Sequence, residues 1–289
     1  MEVKRAIRKL CRIRENETFI SGIERYYIQI QKKICKKKYS KEELGCFIRK
    51  LGLENGDIVM VHSSWRRFFN FEGTPEDVID ILREIIGKEG TILMPSYGCR
   101  REYFDINNTP SNAGIITEVF RKKKNVIRSW CPHFSIAAQG PLADNLLRDH
   151  VYSEYGFDTF SPIYKLAKIP KAKILFLGLG KKPTKNSIFH CAGYVLKEED
   201  QKLNRLLSNT YDAILVVDGK ERIRHMIFRQ QGHKNNNIVF RKIFDSIQNK
   251  KTEKLSNLYG VCINAEEALE RAIEYTQKGI YCYKRMRSV

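Results

Sequence analysis

Apolar residues from position 41 onward follow two alternating spacings, one typical of a helix and one of a buried strand. In the first part of this region they predict two helices and two strands, with Thr74 as the N-cap of the second helix and Pro75 in its first turn. In chain order these elements are a helix at 42–53, a strand at 57–63, a helix through 78–86 and a strand at 91–97.

The second part of the chain continues the alternation. A helix is predicted at 114–124, and short strands are predicted at 135–140 and 173–180. Residues 213–228 are predicted to form a hairpin that turns at Asp218-Gly219. An amphipathic helix at 265–278 closes the chain. Because strands and helices alternate, we expect an α/β fold with a mixed, largely parallel sheet covered by helices.

Residues 1–40 differ from the rest and are predicted to be a basic helical extension of a domain at 41–289. Twelve Lys or Arg residues against four Glu give this extension a charge of +8. Its apolar residues recur at helical spacing, at Ile20, Ile23, Tyr27, Ile30 and Ile34. This stripe could pack on the domain, on a partner subunit in a homodimer, or on an anionic membrane. Residues 32–43 are interpreted as a solvated link.

The composition limits the classes of function. The net charge of +19 over 289 residues favours anionic partners, such as nucleic acid, anionic lipid or a phosphate-rich ligand. The eight cysteines are scattered and form no CxxC pair, which predicts free thiols in a reducing cytoplasm and no zinc site. We find neither a signal peptide nor an apolar run long enough to span a membrane.

Three motifs indicate chemistry. His62, Ser63 and Ser64 end a predicted strand, where ligands commonly bind. The loop GLGKKPTKNS at 178–187 combines glycines with three lysines and could hold phosphate. His190 then lies beside Cys191, either as a general base, as the partner of a nucleophile, or as a packed side chain.

In order along the chain, the motifs resemble those of the aminoglycoside 3-N-acetyltransferase family, which acetylates amines with acetyl-coenzyme A (acetyl-CoA). The resemblance extends from about Ser40 to Tyr194 and is fainter in the last third. The motifs are DIVMVHSSW, EGTPEDVIDILREIIGKEGTILMPSY, TPSNAGIITEVFRKKKNVIRSWCPHFSIAAQG, FSPIYKLA, ILFLGLG and NSIFHCAGY.

The resemblance implies an acetyltransferase fold with acetyl-CoA as cofactor, and it assigns roles to residues. His190 corresponds to the general base, with Asn186, Ser187 and Tyr97 as substrate-binding residues. The implied cofactor-binding residues are His62, Ser63, Ser64, Ser111, Gly114, Arg128 and Ser129.

Position 193 departs from the family pattern. The family usually has H-x-A-E here, and this chain has Gly193 where the Glu would stand. Asp158 is our candidate for the missing carboxylate. For catalysis we expect an imidazole with a pKa near 7 to remove the amine proton, and backbone N–H groups of Ser63 and Ser64 to stabilise the oxyanion.

The charge also bears on the acceptor. Aminoglycosides are polycations, whereas this chain is basic and lacks a carboxylate at position 193. We therefore predict an amino sugar that is nucleotide-linked or part of an anionic glycan, in surface-polysaccharide biosynthesis, rather than an antibiotic. The alternatives are an aminoglycoside resistance enzyme, Cys191 as a nucleophile, and a non-catalytic binder of nucleic acid or anionic surfaces. We expect that nucleic acid is not a partner of this protein.

Overall fold

The computed structural model describes residues 7, 8, 10–14, 18–98 and 102–286. The helices are α1 (Phe19–Ile34), α2 (Lys41–Lys50), α3 (Pro75–Ile86), α4 (Ile115–Phe120), α5 (Ala143–Leu147), α6 (Pro162–Leu166), α7 (Phe189–Val195), α8 (Gln201–Leu206), α9 (Asn237–Ser246) and α10 (Ala265–Gln277). The strands are β1 (Ile58–Ser63), β2 (Thr91–Pro95), β3 (Tyr103–Asp105), β4 (Ile127–Arg128), β5 (Ile136–Gln139), β6 (Lys173–Leu177), β7 (Asn209–Val217), β8 (Lys220–Phe228), β9 (His233–Asn235), β10 (Lys250–Leu255), β11 (Leu258–Asn264) and β12 (Tyr283–Arg285).

A seven-stranded sheet in the order β10-β11-β6-β1-β2-β5-β4 forms the centre of the protein. Its middle strands β6, β1 and β2 run parallel, and the outer strands pair antiparallel. The predicted mixed α/β class is therefore confirmed. Because the central strands are parallel, their C-terminal ends meet at one edge, where a ligand can approach all three.

Helices cover both faces of this sheet, since successive side chains of a strand point to opposite faces. On β1, Val59 and Val61 pack in the core beneath α2 and α3, whereas Met60 packs in the core shared with α7, α9 and α10. This two-sided burial explains why β1 consists of apolar residues almost to its end.

The predicted cap of α3 is confirmed. The hydroxyl of Thr74 accepts a hydrogen bond from the N–H of Asp77, the carboxylate of Asp77 accepts from the N–H of Thr74, and Pro75 occupies the first turn. This reciprocal pair satisfies backbone groups that a helix start leaves unpaired. It fixes where α3 begins, and so the path of the chain after β1.

The predicted hairpin is present as β7 and β8, which turn at Asp218 and Gly219. Both turn residues have positive φ, 50° and 73°, as a tight two-residue turn requires. Together with β3 the hairpin forms a separate three-stranded sheet. It brings Phe228, at the end of β8, to the cavity at the C-terminal ends of the central parallel strands.

The apolar stripe of α1 does not pack on the domain, which was the first of its three predicted partners. Ile23, Tyr27, Ile30 and Ile34 are exposed, Ile34 by 77%, while Ile28 is buried. The side chain of Ile20 lies outside what the structure describes. Polar contacts with the rest of the chain accompany this orientation and hold α1 with a different face turned inward.

Arg67 and Asn70 hold α1 and the segment after it. Arg67 donates a hydrogen bond to the side-chain oxygen of Gln31 at 2.7 Å, and Asn70 donates to the carbonyl of Cys35 at 3.0 Å. The link predicted to be solvated contains Tyr39, which is 1% exposed and stacks on Phe71.

None of the helices in the described part of the chain combines the length and the apolar character needed to cross a membrane.

Candidate active site

A cavity of about 750 Å³ opens at the C-terminal ends of the parallel strands. Strand β1 contributes its end, the loop after β6 contributes Leu179 and residues 184–187, and the start of α7 contributes His190. The location is the one expected for a ligand in an open α/β sheet.

The imidazole of His190 lies in an aromatic environment at this cavity. Its ring centroid is 5.0 Å from that of Phe157 and 5.3 Å from those of Phe240 and Tyr283. Its Nδ1 is 2.7 Å from the hydroxyl oxygen of Tyr283. One ring nitrogen is therefore engaged by the protein, and the ring orientation is fixed.

The pKa of His190 differs from the value near 7 that we expected. Burial, and to a smaller extent the positive charge of Arg229, lower the pKa of His190 to about 3. His190 keeps some surface open to the cavity but lies deep enough for desolvation to dominate. The imidazole is thus neutral at neutral pH, and its lone pair is available.

Asp158 was predicted to supply the carboxylate that is absent at position 193, and the structure gives it a different role. Its side chain is 1% exposed and accepts hydrogen bonds from the hydroxyl of Ser153 and from the backbone N–H groups of Glu154, Tyr155 and Phe160. These bonds hold the loop that carries Tyr155. The hydrogen-bond partner of His190 at Nδ1 is Tyr283, and the hydroxyl of Tyr283 is in turn bonded to that of Tyr155.

His62, Ser63 and Ser64 all line the cavity. The ring of His62 stacks on Phe176, and burial lowers its pKa to about 4. The N–H of Ser64 donates to the carbonyl of Leu177 at 2.9 Å, as part of the pairing of β1 with β6. The N–H of Ser64 is consequently not free to bind an oxyanion, so this part of the prediction was wrong. The N–H of Ser63 is the remaining candidate donor.

The three predicted substrate-binding residues lie together. Tyr97, Asn186 and Ser187 line the cavity, and the hydroxyls of Tyr97 and Ser187 are 2.8 Å apart. Asn186 is 1% exposed, and within the described residues neither polar atom of its amide has a hydrogen-bond partner. Such a group is costly to bury unless a ligand satisfies it, so Asn186 indicates a polar ligand in this cavity.

Of the four predicted cofactor-binding residues Ser111, Gly114, Arg128 and Ser129, Gly114 lines the cavity and the other three do not. Ser111 lies behind it and bonds to Thr117 and Glu118. Arg128 donates to the carbonyls of Ser96, Ile106 and Thr109, and its guanidinium lies 4.4 Å from the ring centroid of Phe104. Ser129 bonds to the buried His150. The last two residues hold loops that surround the cavity.

The glycine loop forms part of a second cavity of about 280 Å³ beside the first. Gly178 and Gly180 have φ of 75° and 80°, and Ser64, Thr184 and Lys185 line both cavities. Two adjoining cavities of this size suit an elongated cofactor such as acetyl-CoA, and the unsatisfied amide of Asn186 fits the amides of such a molecule. Ser64, Thr184 and Lys185 could hold it.

Three residues of this site were missed from the sequence: Tyr155, Arg229 and Tyr283. Each lies in a stretch that matches no motif, so no signal in the sequence identifies it. Tyr283 lies 93 positions after His190. Across the described residues, moreover, the His, Cys, Asp and Glu side chains form no group of three that could bind a metal ion.

Solved structures of aminoglycoside acetyltransferases share the fold of this chain. A mutant of the aminoglycoside acetyltransferase AAC(3)-IVa in complex with a gentamicin aligns with a TM-score of 0.71 at 23% identity, over 84% of this chain and 91% of that one. AAC-IIIb in a binary complex with CoASH aligns with a TM-score of 0.70 at 19% identity, over 84% and 98%. At these identities the likeness establishes the fold alone.

The chain belongs to the aminoglycoside 3-N-acetyltransferase family, whose sequence profile matches residues 60–277. Aminoglycoside N(3)-acetyltransferase IV of Salmonella sp is 32% identical over 165 residues, which are 55% of this chain and 60% of that protein. The SPbeta prophage-derived aminoglycoside N(3')-acetyltransferase-like protein YokD of Bacillus subtilis is 27% identical over 264 residues, 81% and 90% respectively. The match therefore spans less than two thirds of the first relative.

The predicted family is confirmed. The description of that family is an N-acetyltransferase, and the structural neighbour AAC-IIIb is bound to CoASH, in agreement with the acyltransferase class and the acetyl-CoA expected from the motifs. Both relatives are named for aminoglycosides, so they give no support to the predicted role in surface-polysaccharide biosynthesis.

Proposed function

We propose that this protein transfers the acetyl group of acetyl-CoA to the amine of an amino sugar that carries an anionic group, with His190 as general base. The observation that carries the proposal is the position of His190, which lines the cavity at the strand ends while Tyr283 engages its Nδ1. A base with one fixed nitrogen can present the other, Nε2, to a substrate.

The tautomer of His190 decides whether it can act as a base. If Nδ1 carries the proton and donates it to the oxygen of Tyr283, Nε2 holds a lone pair that can accept a proton. Because the pKa of His190 is about 3, the ring does not remove a proton from a free ammonium group. The acceptor therefore enters as the neutral amine, and its nitrogen becomes acidic once it bonds to the carbonyl carbon.

Acetyl-CoA supplies the acetyl group as an activated thioester. In the transfer a C–N bond forms, the C–S bond breaks, and the proton of the amine passes by way of His190 to the sulfur. The N–H and hydroxyl of Ser63 are the donors that we assign to the developing oxyanion. Asn186 and Ser187 orient the substrates, and the second cavity receives the distal part of the cofactor.

The charge around the cavity supports an anionic acceptor. Of its described lining residues, Arg66, Lys185 and Arg229 are cations, whereas Glu24 is the one carboxylate, and it is paired with Arg67 at 3.5 Å. Arg229 places its positive charge near His190, since that charge contributes to the low pKa of the imidazole. A polycation would be repelled where the transfer takes place, while a phosphate would be attracted.

An aminoglycoside is the second candidate acceptor, and the names of the relatives favour it. The experiment compares kcat/KM for a nucleotide-linked amino sugar with that for gentamicin, at fixed acetyl-CoA. We expect the nucleotide sugar to be preferred by about tenfold or more, the size of one well-placed charge interaction. A preference for gentamicin would overturn the anionic acceptor but not the acetyl transfer.

Arg229→Gln provides the matched variant, because it removes the charge and keeps a long polar side chain. We expect it to reduce the preference for the nucleotide sugar more than it changes KM for acetyl-CoA. A variant with unchanged preference would show that Arg229 does not select the acceptor.

We further propose that residues 1–40 act as an extension of a domain at 41–289 and that its exposed stripe is covered in a homodimer, with no nucleic acid as partner. Light scattering before and after removal of residues 1–38 tests the dimer, and a salt titration with mixed DNA tests the absence of nucleic-acid binding.

The cysteines in the described part of the chain are all free thiols, which supports a reducing compartment such as the cytoplasm.

A further inference from the structure

Gly193 leaves an opening beside the catalytic histidine that another element fills. It lies three residues after His190 on α7, and so on the same face of the helix. A Cβ placed at Gly193 would lie 3.7 Å from Cε2 of Tyr283 and 3.7 Å from Cδ1 of Leu207, which is ordinary van der Waals contact. The ring of Tyr283 therefore occupies the space into which a side chain at 193 would extend.

Tyr283 reaches this space from the end of the chain. It begins β12, which pairs antiparallel with β9 so that Tyr283 stands opposite Asn235. Its ring lies nearly parallel to that of His190, with an interplanar angle of 22°, and its hydroxyl bonds to Nδ1 of His190 at 2.7 Å. The contact is thus both a hydrogen bond and a ring stack.

The hydroxyl of Tyr283 is itself held in place. It bonds to the hydroxyl of Tyr155, and Tyr155 is carried by the loop whose backbone N–H groups donate to Asp158. Both tyrosines are buried, and burial raises the pKa of each above its ordinary value. The arrangement is a chain of neutral groups that ends on Nδ1 of His190.

We propose that Tyr283, supported by Tyr155, is the positioning residue of His190 and takes the place of the carboxylate that the family pattern puts at position 193. This inference rests on the proposed function of His190. The oxygen of Tyr283 accepts a hydrogen bond from the Nδ1–H of His190, which leaves the lone pair of Nε2 to accept the proton of the amine. A phenol orients the ring without adding a negative charge, so the acceptor site stays free of the carboxylate that would attract a polycation.

Tyr283→Phe tests the role because it removes the hydroxyl and keeps the ring. We expect kcat to fall by about tenfold or more, as for loss of a group that fixes a histidine tautomer, with KM for acetyl-CoA nearly unchanged. Tyr155→Phe should have a smaller effect in the same direction. Tyr194→Phe is the matched control, since Tyr194 stacks on Tyr155 but lies outside the hydrogen-bond chain.

Gly193→Glu in the Tyr283→Ala background is the rescue variant, because Tyr283→Ala removes the ring from the space into which a side chain at 193 would extend. A carboxylate at position 193 lies one turn from His190. Recovery of kcat relative to Tyr283→Ala alone would support an orienting role, because a purely structural loss of the tyrosine side chain would not be repaired by a carboxylate on another element.

Nitrogen-15 NMR of histidine-labelled protein gives a readout that needs no activity. The two ring nitrogens of His190, assigned with His190→Gln, should report the Nδ1-protonated tautomer in the wild type and a mixture in Tyr283→Phe. Unchanged nitrogen shifts in Tyr283→Phe, or a wild-type kcat, would overturn the proposal. If the wild type acetylates no amine, the proposed function fails, while the NMR result still decides the positioning role.

Discussion

The environment of each site residue decides its chemistry, and His190 and its neighbour Cys191 illustrate this. Both are in α7, but His190 lines the cavity and Cys191 is fully buried with its side chain in the core. Burial raises the pKa of the Cys191 thiol, with the charge of Asp158 adding to the effect, so the nucleophilic thiolate is disfavoured. The imidazole of His190 therefore reaches the cavity, and the thiol of Cys191 does not.

His190→Gln should reduce kcat by about 100-fold or more, the usual effect of losing a general base, while the protein binds acetyl-CoA nearly as before. Cys191→Ala is the neighbouring comparison, and we expect it to affect stability more than turnover. Steady-state kinetics with the preferred acceptor measures both. An equal loss of kcat in the two variants would point to damage of α7 instead of a specific role for His190.

The sequence was sufficient to select His190, Asn186 and Ser187, because they form one contiguous motif. It was insufficient for Tyr283, whose contact with His190 joins positions 93 apart, and for Tyr155, which lies 128 positions from Tyr283. It also placed the pKa of His190 near 7, because a linear motif does not show how deeply a ring will be buried. Contacts of that range are created by the folded chain alone.

The end of β6 is the element on which the site geometry depends most closely. Gly178 follows the strand with φ of 75°, and an added Cβ would lie 2.8 Å from Cβ of Arg67 and 3.0 Å from the carbonyl oxygen of Ser64. Arg67 in turn bonds to Gln31 of α1. The glycine therefore permits the end of β1, the turn after it and the N-terminal helix to approach the loop after β6.

Gly178→Ala should lower the free energy of unfolding by about 3 kcal/mol, from backbone strain at positive φ together with overpacking. Gly180→Ala isolates the first cause: its φ is 80°, but no atom lies within 4 Å of the added Cβ, so we expect a loss of about 1 kcal/mol. Urea denaturation followed by circular dichroism measures both. Equal losses would show that close approach at Gly178 costs nothing.

The protein as a whole carries a high positive charge outside and neutral histidines inside. Burial lowers the pKa of His62 to about 4 and those of His150 and His190 to about 3. In the unfolded chain these side chains return to the ordinary value of 6.5. As pH falls below 6.5 the unfolded state therefore binds protons that the folded state does not, and stability is lost progressively down to the folded pKa values.

His150 offers a test of this acid sensitivity away from the catalytic cavity. Its Nδ1 is 2.7 Å from the hydroxyl of Ser129, and it is 1% exposed. Between pH 7 and pH 5 the wild type should lose about 2 kcal/mol more than His150→Gln, because the variant has no group to protonate on unfolding there. Denaturant titrations at the two pH values measure the difference. Parallel losses in both proteins would assign the acid sensitivity to other groups.

The sequence by itself determined the family, the alternation of strands and helices, the cap at Thr74, the hairpin turn at Asp218 and the choice of His190. These depend on local periodicity, capping and contiguous motifs, which a linear chain carries. Only the tertiary structure decided which face of α1 points inward, how far the pKa of His190 falls, and that the hydroxyl of Tyr283 bonds to Nδ1 of His190. These properties depend on desolvation and on contacts between distant positions, which come into existence when the chain packs.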